Sequence, residues 1–289
     1  MKVLVVGRSG QLAAALRACV PAGLEAQFGG RESCDLRNPA AVAGAVAAAR
    51  PSVVINAAAY SNVEQAEREQ EEAFRINGAG VGALAGACAA QHARLLHVST
   101  DYVFDGAASV PYLPEARPAP LSVYGASKLD GERRIAATAG LEALIVRTSW
   151  VYSPVGRNFL LTMFALFRTR GAASVVCDQF GSPTSAHSLA QALWILTTQP
   201  QAAGIAHFAD QGVASWYDFA VAIAEEALRL GLLERKPVVT PIRTADYPSA
   251  ARRPLYSVLD TQASVARWGL PAVPWREALA ATLERLAHA

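Results

Sequence analysis

Tyr124 and Lys128 stand four residues apart in Ser-Val-Tyr-Gly-Ala-Ser-Lys, where a helix is expected to begin. That spacing sets both side chains on one helix face. A phenol with a reference pKa of ~10 is a usable but sluggish proton donor. A nearby ammonium favours the phenolate and lowers that pKa. Such a pair can give a proton to a carbonyl oxygen while a hydride arrives at the carbon. Tyr-x-x-x-Lys is common by chance, and a helix-start tyrosine with a surface lysine would read the same way. A third residue narrows the choice. Residues 95–102 read Leu-Leu-His-Val-Ser-Thr-Asp-Tyr, a strand ending in hydroxyl side chains. Thr100 at that end can donate to a carbonyl oxygen and stabilise a developing alkoxide; the bland alternative is a strand-end cap.

A hydride donor needs a place to bind. Gly7-Arg8-Ser9-Gly10-Gln11-Leu12-Ala13 follows the first apolar run and opens the first helix. Glycine permits a tight strand-to-helix turn and lets a pyrophosphate approach the helix N-terminus. The spacing is G-x-x-G-x-x-A rather than G-x-G-x-x-G, with Ala13 in place of the third glycine. The candidate cofactor contacts here are Gly7, Ser9, Gly10, Gln11 and Leu12. Arg31 follows the second strand and suits a 2′-phosphate, which favours NADPH. Glu32 and Asp35 lie close enough in sequence to accommodate NADH as well.

These groups need rigid elements behind them. Residues 2–6, 26–29, 52–57, 95–99 and 143–148 read as strands that are apolar throughout. Residues 11–20, 39–49, 64–75, 78–91 and 126–139 read as helices, with Asn38 as a cap and Pro39 at a first helical position. The alternation predicts an α/β fold, a Rossmann-type doubly wound parallel sheet. The pattern loosens after residue 150. Helices are expected at 158–167, 189–197 and 216–230, and strands at 174–177 and 205–209, forming a smaller mixed α/β substrate lobe. The expected division is 1–150 for an NAD(P)-binding domain, completed by 178–200, with 151–177 and 201–289 mainly binding substrate.

Composition bounds the rest. The chain has 289 residues, is 52% hydrophobic and carries a formal charge of +2. That supports a sizeable core but no nucleic-acid groove. The start of the chain reads as a strand rather than a signal peptide. The longest uncharged stretch, 76–93, fits a packed helix better than a membrane span. The four cysteines and five histidines are dispersed, so no metal site is expected. The expectation is a cytoplasmic protein with no nucleic-acid or membrane partner, a monomer or homodimer.

Several stretches together resemble the dTDP-4-dehydrorhamnose reductase family of the extended short-chain dehydrogenase/reductase superfamily. They are residues 7–11, 51–60, Ser99-Thr100-Asp101-Tyr102-Val103-Phe104, Tyr124-Gly125-x-x-Lys128, Arg147-Thr148-Ser149-Trp150-Val151-Tyr152 and Asp178-Gln179-Phe180-Gly181-x-Pro183-Thr184. The resemblance implies Thr100, Tyr124 and Lys128 as the catalytic set and a nucleotide-sugar substrate. It adds Asp35, Leu36, Ala57, Ala58, Ala59, Tyr60 and Ser99 to the cofactor side. Val63, Asp101, Tyr102, Trp150, Asn158 and Arg253 fall on the substrate side. There Trp150 packs on the sugar, or serves as a core tryptophan, and Arg253 meets a diphosphate. Two departures stand out. Ala15 and His187 occupy positions where some members carry Mg²⁺-binding glutamates, so no metal dependence is expected. Glu64 stands where aspartate is expected. A dehydratase would need a glutamate where Tyr102 stands. An epimerase of the same superfamily, or a non-catalytic nucleotide-binding subunit, is the remaining alternative.

Overall fold

The computed structural model describes residues 1–288. In chain order the first half runs β1 (Lys2–Val6), α1 (Gln11–Ala18), β2 (Glu25–Gly29), α2 (Pro39–Ala49), β3 (Val53–Asn56), α3 (Val63–Ala66), α4 (Gln70–Phe74), α5 (Gly80–Ala90), β4 (Arg94–Thr100), α6 (Val123–Ala136) and β5 (Ala143–Thr148). The second half runs β6 (Val151–Tyr152), α7 (Phe159–Arg170), β7 (Ala172–Val176), β8 (Phe180–Gly181), β9 (Thr184–Ser185), α8 (Ala186–Thr197), β10 (Gly204–His207), β11 (Ala214–Ser215), α9 (Trp216–Arg229), β12 (Val238–Ile242), α10 (Gln262–Trp268) and α11 (Trp275–Ala287).

Six strands form one parallel sheet in the order β10-β5-β4-β3-β1-β2. Strands buried on both faces must be apolar throughout, and helices cover each face. On one face, α1 and α8 bury Leu12, Leu16, Leu189, Leu193 and Trp194 against Val3, Val5 and Leu96. On the other, Val42 and Val46 of α2 and Leu84 and Cys88 of α5 meet Leu4, Val54 and Leu95. Each fully buried side chain of this size contributes roughly 1.5–3 kcal/mol. The sheet also takes β10 from late in the chain, which pairs Ala206 with Val146 and His207 with Arg147.

The order reverses between β1 and β3, and a crevice opens at their carboxyl ends, where this class of sheet binds ligands. Gly7 sits there at φ +119, a conformation that favours glycine. A Cβ on it would come within 3.3 Å of the Ala57 and Ala58 backbone. Both the turn and the close approach therefore require a bare backbone.

The expected helix over 64–75 is broken. Glu69 leaves helical geometry (φ −116, ψ 50) between α3 and α4. Its carboxylate instead accepts from Tyr60 Oη and Gln65 Nε2. Glu67 in the gap accepts from the Val123 amide, tying the break to the start of α6. A wide π-helical turn, Arg75–Ala79, follows. It aims Asn77 inward, where it bonds both backbone groups of Tyr60 and the Ser127 hydroxyl. Helix α6 starts three residues before the expected 126, because Ser122 caps the Gly125 amide.

The second lobe has no large sheet. Its β-structure is the two-stranded ladders β7–β12, β8–β11 and β6–β9. Helices α7, α9 and α11 enclose its core around Tyr152, Leu160, Phe219, Ile223 and Trp275. No described helix is long and apolar enough to cross a membrane.

Candidate active site

A cleft of about 1300 Å³ runs from the Gly7 loop, across the ends of β3, β4 and β5, to the second lobe. Drug-sized ligands occupy pockets of roughly 300–1,000 Å³, so this space suits a dinucleotide with a second ligand beside it.

The floor is formed by β4 and α6. Gly125 lets α6 lie against the turn after β4, since a Cβ there would collide with the Tyr102 carbonyl. That approach carries Tyr124 to Thr100. Burial pushes the Tyr124 phenol up to about 12, and contact with the Thr100 hydroxyl opposes this. Tyr102 meets the Tyr124 ring edge-on at 5.9 Å. Thr100 donates to Asp101 Oδ1 at 3.1 Å and accepts from the Tyr102 amide. Asp101 is pushed up to about 7 by burial and also accepts from Ser257 at 2.6 Å.

One turn further along α6, Lys128 is 2% exposed. Its Nζ donates to the Val98 carbonyl at 2.7 Å and lies 3.2 Å from His97 Nε2. Burial lowers it to about 8, opposed by Glu132. Glu132 is held in turn. Arg147 grips it bidentately at 3.0 and 2.7 Å, and the Ser99 hydroxyl donates to it. The arginine also spans to the Pro114 carbonyl.

The Gly7 end of the cleft carries most of the residues expected to meet a dinucleotide. Gly7, Ser9, Gly10, Gln11, Leu12, Arg31, Ala57, Ala58, Ala59 and Ser99 all line the cleft. Arg8 and Glu32 line it too and pair with each other. The expected contacts Asp35, Leu36 and Tyr60 are not among the lining residues. Asp35 faces Arg37, whose guanidinium holds it down to about 2. Leu36 is buried beneath α2 and α5, and Tyr60 turns to Glu69.

On the substrate side, Val63, Asp101, Tyr102, Trp150 and Arg253 line the cleft. Asn158 does not; it caps α7 and donates to Gln11 Oε1 and the Ser153 carbonyl. Trp150 has φ +48, a costly conformation for a bulky residue. Its indole stacks on Trp216 at 3.5 Å, with planes 4° apart. Trp216, Tyr247, Phe159 and Met163 also line the cleft, and sequence reasoning missed them. The Ser215-x-x-Asp218 capping box marks where α9 begins, but nothing in the sequence shows that this helix start faces Trp150. Arg253 donates to Glu64 at 2.7 Å, and its Nε is buried without a partner. Glu64 further accepts from Ser249 and the Ala250 amide, so its longer arm clasps the mouth. Ala15 packs on the core beneath the sheet, and His187 lies in the first turn of α8. Among the described residues no group of three or more His, Cys, Asp or Glu could hold a metal.

A model of the RmlD substrate binding domain family matches residues 1–288. The chain is 41% identical over 250 residues to a dTDP-4-dehydrorhamnose reductase of Aggregatibacter actinomycetemcomitans, covering 85% of each protein. It is similar to the crystal structure of such a reductase from Clostridium acetobutylicum, with TM-score 0.91, 36% identity and 99% of each chain covered. A Bacillus anthracis dTDP-4-dehydrorhamnose reductase in complex with NADP gives TM-score 0.91 at 34% identity, over 98% of this chain and 99% of that one.

Proposed function

This chain belongs to the RmlD substrate binding domain family and is an NAD(P)H-dependent oxidoreductase, and we propose that it reduces the 4-keto group of dTDP-4-dehydro-L-rhamnose to give dTDP-L-rhamnose. The observation that carries the proposal is the convergence of Thr100, Tyr124 and Lys128 on one cleft floor between the Gly7 loop and the second lobe.

Bound NADPH supplies the hydride. The Gly7 loop, Ala57, Ala58 and Ala59 would take its pyrophosphate and ribose side. Arg31 and Arg8 would meet a 2′-phosphate, and Glu32 a 2′-hydroxyl, which accommodates NADH. Raised by burial, Tyr124 holds its proton at neutral pH and can deliver it to the carbonyl oxygen. The Thr100 hydroxyl, turned from Asp101, can donate to the same oxygen. Lys128 lies one turn behind Tyr124, where its ammonium form would tune the phenol and hold the ribose. The unpartnered Arg253 Nε suits a diphosphate oxygen, and Val63, Tyr102 and the Trp150–Trp216 stack bound the sugar. Tyr102, pushed up by burial, is no base for eliminating water. In this reading residues 1–150 serve the cofactor, completed by α8 and by β10 of the main sheet rather than by 178–200 as such. The remaining residues of 151–289 mainly serve the substrate, and the protein works in the cytoplasm as a monomer or homodimer.

The test follows NADPH absorbance with purified protein and dTDP-4-dehydro-L-rhamnose in EDTA. Steady multiple-turnover oxidation is expected. No oxidation despite NADPH binding would remove this substrate assignment and leave a different keto-sugar substrate or a nucleotide-binding subunit.

A further inference from the structure

Behind Lys128 lies a chain of buried polar groups that hydride transfer does not use. Asn56 and His97 are register partners on β3 and β4. Asn56, His97 and Lys128 are 1%, 0% and 2% exposed. The Ala58 amide donates to Asn56 Oδ1 at 3.1 Å. Asn56 Nδ2 lies 3.0 Å from His97 Nδ1, and His97 Nε2 lies 3.2 Å from Lys128 Nζ.

The roles follow from the fixed end. A backbone N–H can only donate, so the oxygen of Asn56 must face Ala58 and its amide nitrogen must face His97. His97 Nδ1 therefore accepts. The proton of a neutral imidazole then sits on Nε2 and points at Lys128. An ammonium there would set two donors against each other, whereas an uncharged amine accepts the Nε2 proton and still donates to Val98. Charging Lys128 requires the imidazole proton to move to Nδ1. The Asn56 amide must then turn, and the Ala58 amide in the cofactor loop loses its acceptor.

We propose that His97 is a positioning residue that, with Asn56, favours the uncharged form of Lys128 in the cofactor-free protein, so that proton uptake at Lys128 and rotation of the Asn56 amide at the cofactor loop are one event. The other ionisable groups around Lys128 fit this arrangement. Tyr124 and Glu132 share its helix, and Asp101 lies at the end of β4. Glu132 is already paired with Arg147 of β5, Asp101 with Ser257 and Thr100, and Tyr124 holds its proton. Burial lowers His97 well below its ordinary range, which keeps the ring neutral. The importance of Lys128 to catalysis rests on the proposed function; its charge state does not.

The experiment is therefore done on cofactor-free protein by NMR and is blind to activity. The chain has three lysines, Lys2, Lys128 and Lys236, so ¹³Cε-lysine spectra resolve Lys128. The Lys128 resonance should titrate near pH 8, well below the ordinary lysine range. In ¹⁵N-histidine spectra His97 should hold its proton on Nε2 above that midpoint and on Nδ1 below it. Asn56→Asp keeps an acceptor for Ala58 but demands a proton on Nδ1. It should lock that tautomer and raise the Lys128 midpoint by a unit or more. His97→Gln, which can offer an oxygen to an ammonium, should also raise it. A wild-type His97 carrying its proton on Nδ1 while Lys128 is uncharged would overturn the proposal without any variant. So would an Asn56→Asp protein whose His97 stays protonated on Nε2.

Discussion

At the floor of the cleft, Arg147 meets Glu132 with side chains 2% and 4% exposed; at the mouth, Arg253 meets Glu64 at 22% and 41%. Both are Arg–Glu pairs with a 2.7 Å contact, yet they have different physics. The first is anchored on a strand and a helix of the main sheet and braced by Ser99 and Pro114. Water cannot rescue either partner, so removing one strands the other. The second joins α3 to the loop before Ser257, where solvent screens the charges and two long side chains must be ordered to meet. Groups that need fixed geometry are set on the sheet, while those that must part to admit a ligand are placed where parting is cheap.

The contrast can be broken most sharply at Glu132. Glu132→Ala leaves Arg147 buried and uncompensated and should cost about 3–5 kcal/mol in chemical denaturation. A loss below about 1 kcal/mol would mean that the floor is not held by this pair. Tyr124→Phe acts on chemistry rather than stability. It should lower kcat by about two orders of magnitude or more, with NADPH affinity nearly unchanged in a binding titration. Near-normal turnover would remove Tyr124 from its role.

The seam between the regions supplies a test in pH. Asp210 follows β10 and accepts from the Ser185 amide of β9. Burial raises its carboxyl to about 7. The folded state therefore holds this proton more tightly than the unfolded chain. The associated stability is complete below the ordinary carboxylate range and is lost as pH rises through about 7. Asp210→Asn should flatten the fall in denaturation free energy between about pH 4 and 7 relative to the parent protein. An unchanged slope would show that Asp210 is not the group responsible. The smallest effect is expected at the mouth. Glu64→Gln should change stability by less than about 1 kcal/mol and register instead as an altered KM. A large loss of stability would make the mouth a second rigid floor and erase the distinction.

The first half of the molecule was largely legible from local pattern. Continuous apolar runs mark strands buried on both faces, and Asn38-Pro39 marks the start of α2. Tyr124, Lys128 and Thr100 stand out as candidates because the chemistry proposed for them depends on spacing within one helix and on the end of one strand. The break at Glu69 was not legible, because a run rich in Glu, Gln and Ala has good helix propensity. Only the pull of Tyr60 and Gln65 on Glu69, and of the α6 start on Glu67, interrupts it. Asp35 shows a similar limit: its sequence position suits a ribose, but Arg37 two residues away takes its carboxylate.

The sequence alone determined the alternating architecture, the glycine turn and the spacing of Tyr124 from Lys128, because these follow from periodicity and backbone sterics over a few residues. Tertiary structure decided which distant groups share an environment. It stacked Trp150 on Trp216, clasped Glu64 to Arg253, and set His97 between Asn56 and Lys128. A histidine inside an apolar strand reads as an oddity in one dimension. Its role depends on strand register and on a helix that packs across it, and no local pattern encodes either.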